Sequence, residues 1–336
     1  MDSFDFDVVI VADFSEAVAR RFEIMTLFFL ASWLEFGGRS RDLPLHIACI
    51  GEAPESVRIL GAKCNASITT HDPMLFGGFA NKLRGFKVKR QTDHLLLLDS
   101  DMLVLSELND LGSILGSECI SAAAANGPCV VPMRQWEKIH EILGIHIPDI
   151  EVLPLNRELD TFQCAEYRNL KKFAPYFNGG IVFAPWDSGL GDVWEQHLTK
   201  ISPIVKNRAK ISNQPSLATA IAKLMLKGYD FRLLPHEYHT RWQHIATGAL
   251  SSRNARLLHT IGFGRWSSKG NKNTSRQEID IYLFNVLRLT RMVRSHRGPL
   301  VQRMHYDTQE PYIDDCHRIH ELMEILYDKH VHNLKP

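Results

Sequence analysis

The chain has 336 residues, with 39 Lys plus Arg against 38 Asp plus Glu, 45% hydrophobic residues and 23% charged ones. That length supports one large core or two modest ones, and the composition excludes a mainly disordered chain. The balanced charge gives no global sign of nucleic acid as a partner.

At the amino end, Asp2, Asp5 and Asp7 precede the apolar run Val8-Val9-Ile10-Val11. A secretory leader needs a basic start and a longer apolar core, so none is expected. Residues 8–12 read as a short buried strand ended by Asp13. Residues 15–36 read as a helix, with Ser15 as its cap and Gly37-Gly38 as its stop. Its apolar stretch, 24–33, is too short to cross a bilayer. A second strand is predicted at 45–50 and another within 60–70, the beginning of a parallel α/β sheet.

A basic helical segment follows over 81–90, and then Leu95-Leu96-Leu97-Leu98, as expected of a strand buried on both faces. Residues 130–175 hold several prolines and no clear period, and read as a long excursion that can fold over a site. Further on come a strand at 181–183, helices around Trp194 and over 216–226, and short strands at 231–234 and 256–258. From Thr274 onward the chain reads as long helices rich in Arg and His. The six cysteines form no C-x-x-C pair and no zinc spacing, which fits free thiols in a reducing cytosol, so a cytoplasmic protein is expected.

The sharpest chemistry is Asp99-Ser100-Asp101 at the end of the Leu95–Leu98 run. Residues two apart in extended chain point to the same side, so the two acids can share one target. Ligands of open α/β sheets collect at the carboxyl ends of strands. Paired carboxylates repel unless a proton or cation joins them, and Mn²⁺ or Mg²⁺ suits oxygen ligands beside phosphates. The alternative is a polar turn after a core strand.

Here the chain resembles the retaining family-eight glycosyltransferases of the GT-A fold, the group that includes glycogenin and bacterial galactosyltransferases. The resemblance runs as ordered motifs over most of residues 7–266. It implies that Asp99 and Asp101 hold a metal beside the donor diphosphate, with Ser100 between them at the donor. Lys82, in Asn81-Lys82-Leu83, matches the basic residue that faces the donor. Asp13, in Val11-Ala12-Asp13, matches the nucleotide-contacting end of the first strand. Tyr176-Phe177-Asn178-Gly179-Gly180 is similar to the family's Phe-Asn-Ser-Gly segment, which implies roles for Asn178 and Gly179; a simple turn is the alternative.

Ser212-Asn213-Gln214 is similar to the family's Asp-Gln pair, with Gln214 kept and Asn213 in place of a carboxylate. The alternative for Asn213 is a helix cap, since Pro215 suits a first helical turn. The segment from Leu258 to Trp266 resembles His-x-x-Gly-x-x-Lys-Pro-Trp, which implies His259 as third metal ligand and Gly262 and Arg265 at the diphosphate. Proline is missing before Trp266.

The resemblance thus implies a GT-A, Rossmann-like, mostly parallel sheet flanked by helices over 1–270, with a helical C-terminal extension over 274–336. It implies a hexosyl transfer, with retention, from a nucleotide-diphosphate sugar to an acceptor the sequence does not identify. UDP-glucose or UDP-galactose is favoured as donor. A haloacid-dehalogenase-type phosphatase also carries Asp-x-Asp, but there the motif opens the domain, whereas here a full α/β unit precedes Asp99. A degenerate sugar-nucleotide or glycan binder is the nonenzymatic alternative. The basic tail residues Arg288, Arg291, Arg294 and Arg297 fit a solvated helix packed on the domain better than a lipid-binding or subunit-binding face. Oligomeric state is left open.

Overall fold

The computed structural model describes residues 5–125, 133–146, 175–205, 209–241, 244–245, 249–260 and 309–332, with single positions at 148, 150, 152, 155 and 334. Seven strands form the main sheet: β1 (Asp7–Asp13), β2 (Leu45–Ile50), β3 (Ser67–His71), β4 (His94–Asp99), β6 (Cys119–Ala124), β7 (Phe177–Pro185) and β8 (Asp230–Leu233). Their order is β3-β2-β1-β4-β7-β6-β8. All pairings are parallel except those of β7, which runs antiparallel to both β4 and β6. A second, small sheet joins β5 (Met102–Val104), β10 (Leu257–His259) and β9 (Thr240–Arg241).

The central strands read Asp-Val-Val-Ile-Val-Ala-Asp and His-Leu-Leu-Leu-Leu-Asp because both of their faces are covered. Val8, Ile10, Leu96 and Leu98 enter one apolar cluster, while Val9, Val11, Leu95 and Leu97 enter the other. On the first face pack α1 (Ala19–Phe36), α2 (Glu55–Lys63) and α7 (Gln309–Leu326); on the second pack α4 (Met133–Leu143), α5 (Leu190–Ile201) and α6 (Ala209–Met225). A short helix, α3 (Leu111–Leu115), precedes β6. Each such Leu or Ile contributes about 1.5–3 kcal/mol on burial, so the sheet's centre is the stable platform and its strand ends are where polar groups collect.

Several boundaries differ from expectation, each for a local reason. Ser15 does not cap α1. Its N–H and hydroxyl both donate to Asp13 Oδ1, at 3.0 and 2.5 Å, and the helix begins four residues later. Asn213 is no cap either, because α6 starts at Ala209 and carries Pro215 within it. The expected basic helix is a 3₁₀ segment, Asn81–Lys87. Within the supposed excursion lies α4, whose Trp136 and Ile139 are buried in the core; Trp136, Ile139, His140 and Leu143 have helical spacing among the flanking prolines. Of the C-terminal extension, α7 shares the core through Ile319, Met323 and Leu326, and Asp315 accepts hydrogen bonds from Ser251 and Ser252. The tail arginines lie outside the described residues. Among the described residues no helix is long and apolar enough to cross a membrane, and Cys49, Cys64 and Cys119 are buried free thiols.

Candidate metal and donor site

Three chain segments distant in sequence meet at the carboxyl edge of β1 and β4. Parallel pairing sets Val11 opposite Asp99, so the ends of both strands open onto one cleft. The cleft has a volume of about 240 Å³. Its walls include Asp13, Arg21, Asn81, Lys82, Ser100 and the acid pair.

Asp99 ends β4, and Asp101 precedes β5. The antiparallel ladder of β5 with β10 puts His259 opposite Met102, one residue past Asp101. Thr260 tightens this by donating its N–H and hydroxyl to Asp101 O, at 3.0 and 2.7 Å. The imidazole arrives with Nε2 3.1 Å from Asp101 Oδ1. One ligand atom from each of Asp99, Asp101 and His259 lies within 4.8 Å of the others. Backbone pairing therefore accomplishes what the long stretch of sequence between Asp101 and His259 leaves unstated.

Lys82 completes the inner edge. Its ammonium donates to Asp99 Oδ1 at 2.9 Å, to Oδ2 at 3.2 Å and to Gly179 O at 2.9 Å. The last contact depends on an irregularity in β7. Between Ala122 and Ala123 of β6 the register on β7 jumps from Val182 to Asn178, so residues 179–181 bulge out of that ladder. Asn178 Oδ1 accepts from Gly180 N–H at 2.6 Å and holds the bulge. A substituent at Gly180 would displace the site side chains, because a Cβ there would lie 2.4 Å from Asp99 Oδ2 and 2.8 Å from His259 Cε1.

Burial alone would raise Asp101, but the charge and hydrogen bond of His259, with Lys82 and Arg21 nearby, hold its carboxyl below the usual range. Burial pushes His239 well below the ordinary histidine value and Arg241 down to about 9. Both lie directly behind His259, His239 Nε2 being 2.8 Å from His259 Nδ1. Asp13 is differently employed: Oδ1 takes Ser15, and Oδ2 accepts from Asn81 Nδ2 at 2.9 Å, which ties the 74–81 loop to β1.

Residues 8–224 match the model of the Rhodobacterales glycosyltransferase domain. The chain belongs to that family. It is a glycosyltransferase, and its main sheet is mostly parallel and flanked by helices. No curated protein matches it. Among solved structures it is similar to mouse xyloside xylosyltransferase 1 in its apo form, at 12% identity and TM-score 0.45, covering 77% of this chain and 98% of that one. It is also similar to galactosyltransferase LgtC in complex with donor and acceptor sugar analogs, at 14% identity and TM-score 0.46, covering 82% and 95%. A third is apo GlyE of Streptococcus pneumoniae, at 14% identity and TM-score 0.43, covering 87% and 64%. Likenesses this loose assign no residue a role.

Of the sequence-derived site residues, the glycosyltransferase brings Asp99, Ser100, Asp101, Lys82, Gly179 and His259 together, with Asn178 one residue behind. Asp13 lines the outer part of the same cleft. Asn213, 3% exposed, lies beside Gly179, its Nδ2 being 3.5 Å from where a Gly179 Cβ would stand. Gln214 is half-buried on the same helix. Gly262 and Arg265 lie outside the described residues. Three site residues escaped sequence reasoning. Arg21, in the first turn of α1, lines the cleft as an exposed cation. His239 and Arg241 support His259, and their only sequence sign is the unusual density of histidine at 236, 239 and 244.

Proposed function

We propose that this enzyme is a metal-dependent hexosyltransferase that moves a sugar from a nucleotide-diphosphate donor, with UDP-glucose and UDP-galactose favoured, to an acceptor with retention of configuration. The observation that carries the reading is the convergence of Asp99, Asp101 and His259, with both acids on the cleft wall. The donor set fits Mn²⁺ or Mg²⁺: two carboxylates and an imidazole are ordinary ligands for such ions. The spacing fits as well. Neighbouring ligands at right angles, each about 2.1 Å from an ion, stand about 3 Å apart, and His259 Nε2 is 3.1 Å from Asp101 Oδ1.

A divalent cation held there supplies Lewis-acid neutralisation of the diphosphate as the sugar–phosphate bond breaks. The chain's own residues do the remaining work. Lys82 anchors Asp99 and adds positive charge on the diphosphate side. Arg265 and Gly262 extend that grip, the planar guanidinium pairing with phosphate oxygens. Asp13 and Ser100 line the donor's path, and Gly179 with Asn178 lets backbone approach the sugar closely.

Asn213 and Gln214 face the transferred sugar, and with an amide at 213 the nearest nucleophile candidate is gone. Retention then follows a front-face route, in which a leaving-group oxygen takes the acceptor proton and Gln214 supports the sugar. Residues 1–270 form the catalytic unit and 274–336 a helical extension. Donor hydrolysis screened over nucleotide sugars with Mn²⁺ tests the reading; phosphate release from simple esters, with no turnover of any nucleotide sugar, overturns it. Product stereochemistry, read from proton coupling constants, tests retention separately.

A further inference from the structure

His259 has two ring nitrogens, and only Nε2 faces Asp101. The other, Nδ1, lies 2.8 Å from Nε2 of His239. A second group meets that same His239 nitrogen: Nη2 of Arg241, at 3.4 Å. A guanidinium carries donors and no acceptor. His239 Nε2 therefore accepts, and the hydrogen on the 2.8 Å contact comes from His259 Nδ1. An imidazole that carries its hydrogen on Nδ1 presents the lone pair of Nε2 to a cation.

We propose that His239, oriented by Arg241, is the positioning residue that fixes His259 as an Nε2 metal ligand. This rests on the metal role proposed above for Asp99, Asp101 and His259.

The backbone is built for the arrangement. His239 ends a 3₁₀ turn and Arg241 ends β9, two residues on in the chain. Strand β9 pairs in parallel with β10, and the ladder sets Arg241 opposite His259. All three side chains are nearly sealed: His239 is 2% exposed, Arg241 1% and His259 2%. Bulk water cannot stand in for a missing acceptor in such a place, so the His239 nitrogen has no ready substitute. Arg241, equally buried, narrows the arrangement further. With two partners on one nitrogen, and one of them able only to donate, a single hydrogen arrangement satisfies both contacts.

The test compares the wild type with His239→Phe and His239→Gln, using Mn²⁺ alone as probe and the EPR signal of free Mn²⁺ as readout. Loss of the acceptor in His239→Phe is expected to weaken Mn²⁺ binding about 10–100-fold. His239→Gln, whose side-chain oxygen accepts, should remain within about threefold of wild type. Nitrogen NMR of the wild-type protein, with and without Mg²⁺, should show His259 protonated at Nδ1. A folded His239→Phe that binds Mn²⁺ as tightly as wild type overturns the proposal, as does an unprotonated His259 Nδ1. Should His239→Phe fail to fold, the wild-type spectrum decides alone. A wild type that binds no Mn²⁺ but shows the expected protonation defeats the metal reading and the ligand role with it, and leaves only the His239–His259 hydrogen bond.

Discussion

The two ends of β1 and its neighbour β4 carry acids that are used in opposite ways. At the entrance, Asp7 is 0% exposed and surrounded by donors: Trp186 Nε1 at 2.9 Å, Gln91 N–H at 3.0 Å, Thr92 N–H at 3.3 Å and His46 Nε2 at 3.3 Å. At the exit, Asp99 and Asp101 line a cleft side by side, their side chains 32% and 19% exposed, with Lys82 and His259 as partners. A carboxylate whose lone pairs are filled by the chain itself is a structural joint. A pair that leaves its shared side open to solvent is a site. Exposure follows the same division, because four donors of the chain close over Asp7 while the acid pair lines the cleft.

The comparison breaks most sharply at Asp101. Asp101→Asn removes one charge from the open pair, and metal-dependent donor hydrolysis should fall by about a thousandfold or more. Thermal unfolding without metal should shift modestly downward, because the charge that His259 and Lys82 favour is lost while the neutral amide still fits the partly exposed site. A thousandfold loss accompanied by unfolding would place Asp101 with the joints.

The mirror experiment is Asp7→Asn. The new amide sets donor hydrogens against at least one of the surrounding donors, so stability should fall by about 3 kcal/mol while turnover per folded molecule stays unchanged. Burial alone would raise Asp7; the hydrogen bonds of His46, Gln91, Thr92 and Trp186 outweigh it and hold the carboxyl below 3.8. A carboxyl depressed in the folded state contributes fully above its unfolded value. That contribution drains as pH falls below about 3.8 toward the folded value. Denaturant melts at a series of pH values should therefore show the wild type and Asp7→Asn converging in acid and separating above about pH 5.

Gly180→Ala probes the boundary between the two uses. The added methyl would meet Asp99 Oδ2 and His259 Cε1 well inside contact distance. A ligand displaced by about 1 Å costs on the order of 100-fold in rate, with stability less affected because the site edge can yield where the core cannot. Mn²⁺ titration and single-turnover transfer measured together would separate weaker metal binding from misplaced donor.

Much of this was legible before any fold was seen. The four leucines ahead of Asp99 announce a strand buried on both faces, and the acids at its end are conspicuous because apolar residues resume at Met102. What periodicity could not supply was pairing between distant segments. Nothing local to His259 says that β10 will pair with β5, and so nothing local says that His239 will stand behind it. Asn178 to Gly180 could be read as a turn from composition, yet the segment is strand, because a bulge takes up the glycines while β4 keeps its pairing with Ile181. Ser15 failed as a cap for a related reason: its N–H and hydroxyl turn back to donate to Asp13 at the end of β1, and the helix starts only at Ala19.

The gentlest test concerns a joint made of charges at the surface. Glu35 on α1 accepts from Lys329 Nζ at 2.5 Å and His330 Nε2 at 3.1 Å, just past the end of α7. These hydrogen bonds hold the Glu35 carboxyl below its ordinary value. Yet Lys329 is 55% exposed and Glu35 25%, so water and salt screen the pair. Glu35→Gln should cost less than about 1 kcal/mol, and the difference should shrink further in high salt. The helix stays docked because Ile319, Met323 and Leu326 remain in the core whatever the charges do. A loss well above that figure, undiminished by salt, would mean that α7 is held by its ion pairs after all, and the distinction between apolar docking and charged trimming would fail at this edge of the molecule.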